Sequence, residues 1–298
     1  MPDAGGTHPT RVLDARTTEV AGFPIRRALP RAGMRAVGAW CFVDHMGPEI
    51  ITETTGLDVG PHPHIGLHTV TWLLEGGVRH SDSLGSDQLI RPGQLNLMTA
   101  GRGIVHAEES VRAPGTLHGV QLWIAQPERT RHGAASFTHL PDLPSVDVGH
   151  GLATVMVGDF HDGLSPAAVD TALVGVDFDL RAGSSTHPLR SDFEYAVYVV
   201  RGSAQINSVT VAEGQLLDLR EHGGELRLDA ADPARLLLLG GEPLGESLSM
   251  WWNFVARDKD EIAAAAQDWA DYVEVAAGNA RFDRLPSTLA PIPAPALP

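Results

Sequence analysis

Three histidines fall within seven positions of GPHPHIGLHTVTWLLEGG, residues 60 to 77. Side chains two apart on a strand share a face, so His62 and His64 of the HPH triplet point the same way while Pro63 turns to the other side. Further on, MTAGRGIVHAEES supplies His106 and Glu108, again two apart and again on one face if the segment is extended. Three neutral imidazoles and a carboxylate suit one divalent transition metal, Fe(II), Mn, Ni, Zn or Cu. They suit magnesium and calcium poorly, because those ions prefer all-oxygen surroundings. Either pair alone is more often a surface or hydrogen-bonded histidine than a ligand; the two together make the metal reading the stronger one. Gly101 and Gly103 precede the second pair, at a turn that needs a left-handed φ or a close backbone approach.

Such pairs need strands to carry them. The chain has 298 residues, 43% hydrophobic and 20% charged, with 32 glycines and 21 prolines. Short apolar runs such as HTVTWLLEG, GVQLWIAQP, YAVYVVRG and ARLLLLGGEP alternate with clusters of Gly, Pro, Asp and Ser, the signature of many short strands joined by tight turns. The two halves echo one another in their order of strands and turns, which predicts a duplicated β-unit and an all-β fold of two jelly-roll barrels. The expected division is a metal-binding domain over 1–130, a linker over 131–151, a metal-free second domain over 152–285, and a Pro-rich tail over 286–298 that is disordered or lies extended on the surface. RDKDEIAAAAQDWADYVEVA, with Ile262, Ala266 and Trp269 at helical spacing, predicts a short C-terminal helix ending the second domain.

Composition narrows the function. A formal net charge of -15 argues against direct nucleic-acid binding, which draws its affinity from clustered Lys and Arg. No apolar run reaches the roughly 20 residues of a membrane-spanning helix, and MPDAGGTHPTRVLD lacks a signal-peptide core, so the expected location is cytoplasmic. The single cysteine, Cys41, sits in an apolar strand and reads as a small buried hydrophobe.

Four stretches carry a family resemblance: DHMGP (44–48), HPHIGLHTVTWLLEG (62–76), HSDSLGSDQLIRPGQLNLMTAGRGIVHAEE (80–109) and LHGVQLWIAQP (117–127). In that order they resemble the N-terminal domain of the pirin family, bicupin proteins with a mononuclear non-haem metal. GGEPLGESLSMWWNFVARDKDEI resembles the closing segment of bacterial members. The resemblance implies two cupin barrels and a metal, usually iron, held by His62, His64, His106 and Glu108. It also implies quercetin 2,3-dioxygenase activity, in which a flavonol and dioxygen react, the heterocycle opens and carbon monoxide leaves. By that analogy Glu108 accepts the flavonol proton. The alternative is a metal- or redox-dependent regulatory protein, since pirins in other settings are partners of transcription or metabolic proteins.

One departure stands out. His68 occupies the place of a carboxylate common in the family, and Ile65 that of an arginine. By parity His68 faces the site, as a partner behind the ligands or an alternate ligand; a hydrogen-bonded barrel residue is the favoured reading. Gln121 could reach the pocket, with a core-satisfied amide favoured. Phe42, Met98 and Trp72 are candidate walls for a flat aromatic substrate, with core packing as the default. In the second half STHPLRSDFEYAVYVV keeps His187 but has Leu189 where a second histidine is expected. His45, His80, His118, His139, His161 and His222 show no ligand spacing and read as structural or surface residues.

Overall fold

The structure is a computed structural model that describes residues 11–111, 113–220, 223–275 and 277–297. His222 lies outside them. Among the described residues strands dominate, with one helix, Lys259–Val275. Among the described residues no helix is long and apolar enough to cross a membrane. The described residues form two compact units, one within 11–16, 28–40 and 143–244, the other within 17–27, 41–142 and 245–297.

The unit built around 41–142 has a seven-stranded sheet in the order Ser136–Leu140, Leu95–Thr99, Leu67–Glu75, Gly115–Ala125, Trp40–Ile51, Phe23–Leu29, Arg16–Val20. A four-stranded sheet runs Asp58–His64, Ile104–Ser110, Val78–Asp82, Asp87–Ile90. Alternation sorts the side chains of this smaller sheet. Val105 and Ala107 join a cluster with Ile65, Phe254, Trp269, Tyr272 and Phe282, so His106 and Glu108, one residue out of step, turn to the opposite face.

The helix belongs to this cover. Its Ile262, Ala265, Trp269 and Tyr272 are buried, and Asp258 Oδ1 accepts the Glu261 N–H at 2.8 Å as an N-terminal cap. The expected division therefore needs correction: residues 245–298 group with the first barrel, because their aromatic side chains pack in one cluster with Ile65, Val105 and Ala107. The tail forms no helix or strand over 286–297, yet it is tied down. Ile292 donates its N–H to the Pro61 carbonyl at 2.9 Å and accepts the Trp269 indole N–H at 2.9 Å. The expected linker also contains two edge strands, Ser136–Leu140 in this unit and Ser145–Asp147 in the other. Both are largely uncovered, which is why they lack apolar periodicity.

The other unit repeats the plan. Its seven-stranded sheet runs Arg11–Asp14, Gln215–Asp218, Glu194–Arg201, Ala234–Gly241, Leu173–Leu180, Gly151–Val157, Ser145–Asp147. Its four-stranded sheet runs Gly183–Pro188, Glu225–Ala230, Ser203–Ile206, Val209–Ala212, in the same sequential pattern as its counterpart. Leu226, Leu228 and Ala230 alternate inward and join Phe178, Val197 and Leu236 in one core. Each unit is a cupin barrel.

Candidate metal centre

The strand Asp58–His64 lies at the edge of its sheet, where Pro61 and Pro63 cost fewer ladder bonds than in a central strand. It pairs with Ile104–Ser110 so that His62 stands directly opposite His106, and a bulge then shifts the register before Glu108, which pairs with Val59. The turn before the ligand strand explains both glycines. Gly101 has φ 53°, and a side chain there would run into the Gly133 carbonyl; at Gly103 an added Cβ would meet the Arg281 carbonyl at 2.7 Å.

This register brings His62, His64 and His106 together, each with a nitrogen within 4.8 Å of the others. The Nε2 atoms of His64 and His106 are 3.0 Å apart. His62 donates its Nδ1–H to the Gly60 carbonyl at 2.9 Å, and His64 donates its own to the Asn253 carbonyl at 3.0 Å. A neutral imidazole carries one N–H, so the Nε2 of each is left with a lone pair. Neutrality follows from burial, which pushes His62 down to about 4 and His64 and His106 well below the ordinary histidine range. Buried, neutral nitrogens converging on one place are the donor chemistry of a first-row divalent ion, so the residues fit the group.

Glu108 stands apart from this triad. Its carboxylate groups with His106 and His80, again within 4.8 Å, and its Oε1 accepts the Thr71 hydroxyl at 3.3 Å. Burial raises its pKa, opposed by neighbouring His80 and by the Thr71 hydroxyl. His80, read from sequence as a structural or surface residue, is buried and belongs to the site. The available signal was HSD at 80–82, a histidine and a carboxylate two apart; only the strand pairing places it opposite Glu108.

A cavity of about 340 Å³ opens on these groups, lined by His62, His64, Glu108, Gln121, Phe42 and Trp123 among others. That volume lies within the roughly 300–1,000 Å³ of small-molecule sites. A larger depression of about 560 Å³, bordered by Arg79, Asp87 and Glu109, has no imidazole on its wall. In the first cavity Phe42 and Trp123 stack with centroids 3.8 Å apart, and Arg27 lies 4.5 Å over Phe42 while making two 2.8 Å bonds to Asp44. Gln121 is not a satisfied core amide: its Oε1 is buried on the cavity wall without a hydrogen-bond partner. Trp72 and Met98 are buried core residues outside the lining. Trp123 was missed in the sequence, although it lies two residues beyond Gln121 on the same strand face.

His68 joins neither triad. Its Nδ1 contacts the Thr99 hydroxyl at 2.9 Å, as a hydrogen-bonded barrel residue does. Parity with His64 does not carry to it, because Gly66, with φ 67°, separates the two strands. His45 and His118 form a buried pair with Nε2 atoms 2.7 Å apart, and His139 bonds Asn96.

In the second barrel His187 stands opposite Leu226, as His62 stands opposite His106. Leu228 then falls where Glu108 falls. His187 Nδ1 meets His161 Nε2 at 2.9 Å, and its Nε2 meets the Ser185 hydroxyl at 2.9 Å.

Comparison with known proteins places this geometry in a family. The family description Pirin matches residues 22–124, and Pirin C-terminal cupin domain matches residues 175–273. A Pseudomonas aeruginosa protein named "putative quercetin 2,3-dioxygenase" is 40% identical over 294 residues, covering 98% of this chain and 91% of its own length. A pirin-like protein of Caulobacter vibrioides is 36% identical, covering 87% of this chain and 92% of its own length. The crystal structure of quercetin 2,3-dioxygenase from Acinetobacter baumannii superposes with a TM-score of 0.92 at 41% identity, covering 97% of this chain and 96% of that one.

Proposed function

The chain belongs to the pirin family, and from that premise we propose that it is a metal-dependent dioxygenase acting on flavonol-type substrates, with Fe(II) as its metal. The observation that carries the reading is the buried group of three neutral imidazoles, two of which, His62 and His64, line an aromatic-walled cavity together with Glu108. The names of the Pseudomonas and Acinetobacter proteins support the substrate class.

His62, His64 and His106 would hold the ion, with Glu108 as the carboxylate beside them. When bound, the ion supplies Lewis acidity toward an acidic hydroxyl and electron exchange with dioxygen. The chain's own residues do the rest. The Phe42–Trp123 stack, capped by Arg27 over Phe42, lines the cavity with aromatic surface for a planar ring system. Glu108, made more basic by burial, takes the proton of the flavonol hydroxyl, and Thr71 holds its Oε1 in place. Gln121 offers its Oε1 to a hydroxyl of the substrate, which gives that buried acceptor the donor it lacks. Overall one flavonol and one dioxygen yield a ring-opened ester and carbon monoxide, a balance that requires no external reductant.

The test is to load the full chain with Fe(II) and follow flavonol absorbance with and without dioxygen, collecting the headspace for carbon monoxide. Oxygen-dependent loss of absorbance with carbon monoxide release, abolished in His62→Ala and Glu108→Ala, is the expected result. Metal-loaded protein inert toward a panel of flavonols would overturn the reading and favour a regulatory role.

A further inference from the structure

Behind His106 stands a pair of side chains with no part in the scheme above. The strand Val78–Asp82 pairs with Ile104–Ser110 so that His80 faces Glu108 and Asp82 faces His106. Both are buried, at 2% and 1% exposure. His80 Nε2 lies 3.0 Å from Asp82 Oδ2, and the imidazole stacks on Phe137 at 4.3 Å. Asp82 is itself fixed, because its Oδ1 accepts the Leu84 and Ser86 N–H groups at 2.9 and 3.0 Å. The remaining nitrogen of His80, Nδ1, is 3.4 Å from Nδ1 of His106.

One assignment sets all the others. A carboxylate only accepts, so His80 directs an N–H on Nε2 toward Asp82, and Nδ1 is the nitrogen it offers to His106 as acceptor. His106 must then carry its N–H on Nδ1 to donate to His80. Its Nε2 is left with a lone pair that faces the lone pair of His64 Nε2 at 3.0 Å. Two lone pairs at that distance repel unless a cation accepts both. Without the His80 acceptor, His106 would put its proton on Nε2 and donate it to His64, closing the ion's place with an ordinary hydrogen bond.

We propose that His80, oriented by Asp82, is a positioning residue that holds His106 in the Nδ1–H tautomer and so keeps its Nε2 available to the metal. For His62 and His64 a backbone carbonyl does this work; for His106 a histidine–aspartate pair does. The inference rests on the reading of the site as a metal centre, and binding of Co(II) to the whole 298-residue chain tests the two separately from turnover. Asp82→Asn keeps the shape and an acceptor for Leu84 and Ser86, but its amide donates to His80 Nε2. His80 then turns an Nδ1–H against that of His106.

Asp82→Asn is expected to bind Co(II) about ten- to a hundredfold more weakly, the usual effect of losing a partner behind a ligand, with a changed visible spectrum. The thermal midpoint of the metal-free protein should stay near wild type. His80→Gln, whose amide oxygen can accept from His106, should bind Co(II) more tightly than His80→Phe, and this comparison decides if Asp82→Asn fails to fold. Wild-type affinity and spectrum in both Asp82→Asn and His80→Phe would overturn the proposal. So would X-ray absorption showing one imidazole fewer around Co(II) in His80→Phe, because His80 would then be a ligand. A wild-type chain that takes up no Co(II) would bring down the metal-centre reading and this proposal with it.

Discussion

His64 and His106 hold their Nε2 atoms 3.0 Å apart in a site where both residues are only 1% exposed. Two acceptor nitrogens at that distance repel, so a divalent ion that takes both lone pairs should stabilise the fold. At a free metal concentration a hundred times the dissociation constant the gain is about 2.7 kcal/mol. Calorimetry with and without a chelator checks this, and His106→Ala should lose the metal-dependent rise in the unfolding midpoint.

Gln121 shows an opposition between stability and binding. Its buried, partnerless Oε1 makes Gln121→Leu neutral or stabilising by about 1 kcal/mol in the ligand-free chain. The same substitution should raise KM for hydroxylated flavonols while leaving metal affinity unchanged. Urea unfolding and steady-state kinetics on one preparation separate the two effects.

The aromatic wall should behave differently. Trp123→Leu removes the stack on Phe42, and aromatic pairs contribute about 0.5–1.5 kcal/mol beyond the area they bury. The expected outcome is a destabilised protein with a several-fold higher KM and unchanged metal stoichiometry. An unchanged KM in the folded variant would remove the pair from substrate binding.

Protonation gives the second barrel a pH dependence of its own. Burial, with the charges of His161 and His150, pushes His187 down to about 4. An unfolded histidine titrates near 6.5, so on acidification the unfolded state takes up the proton first. The contribution of neutral His187 is therefore present above about pH 6.5 and is lost as pH falls toward about 4. NMR titration of the His187 ring gives the folded value, and denaturant unfolding of wild type and His187→Leu across that range gives the slope.

Cys41 should be chemically silent. It is fully buried, and burial pushes its thiol up to about 12. A thiol reagent at pH 8 should label it only at the rate of unfolding, which a denaturant series can establish.

Period-two spacing was enough to set His62 beside His64 and His106 beside Glu108 in the sequence, and the turn glycines before the second pair were equally plain. What spacing could not supply was register. Two steps from His106 to Glu108 stand against three from His62 to Val59, so the extra residue lies on the His62 strand; the carboxylate groups with His106 and His80, and nothing in DVGPHPH announces the shift. Partners from distant segments were equally hidden: His64 bonds to Asn253, 189 positions away. Gln121 and Trp123 share a readable strand face, but whether that face meets a core or a cavity depends on five or more strands at once.

The grouping of chain segments bears on any attempt to obtain one barrel alone. A gene cut near codon 142 would give an amino-terminal fragment without Phe254, Trp269 and Phe282, the cover over Val105 and Ala107 on the back of the histidine strand. The carboxy-terminal fragment would lack Trp40, whose indole N–H is shared between the Val174 and Gly240 carbonyls. Neither product would be an intact barrel, so dissection by simple truncation should give aggregates, whereas permuted genes that rejoin 17–27, 41–142 and 245–298 offer a route to an isolated metal-binding half.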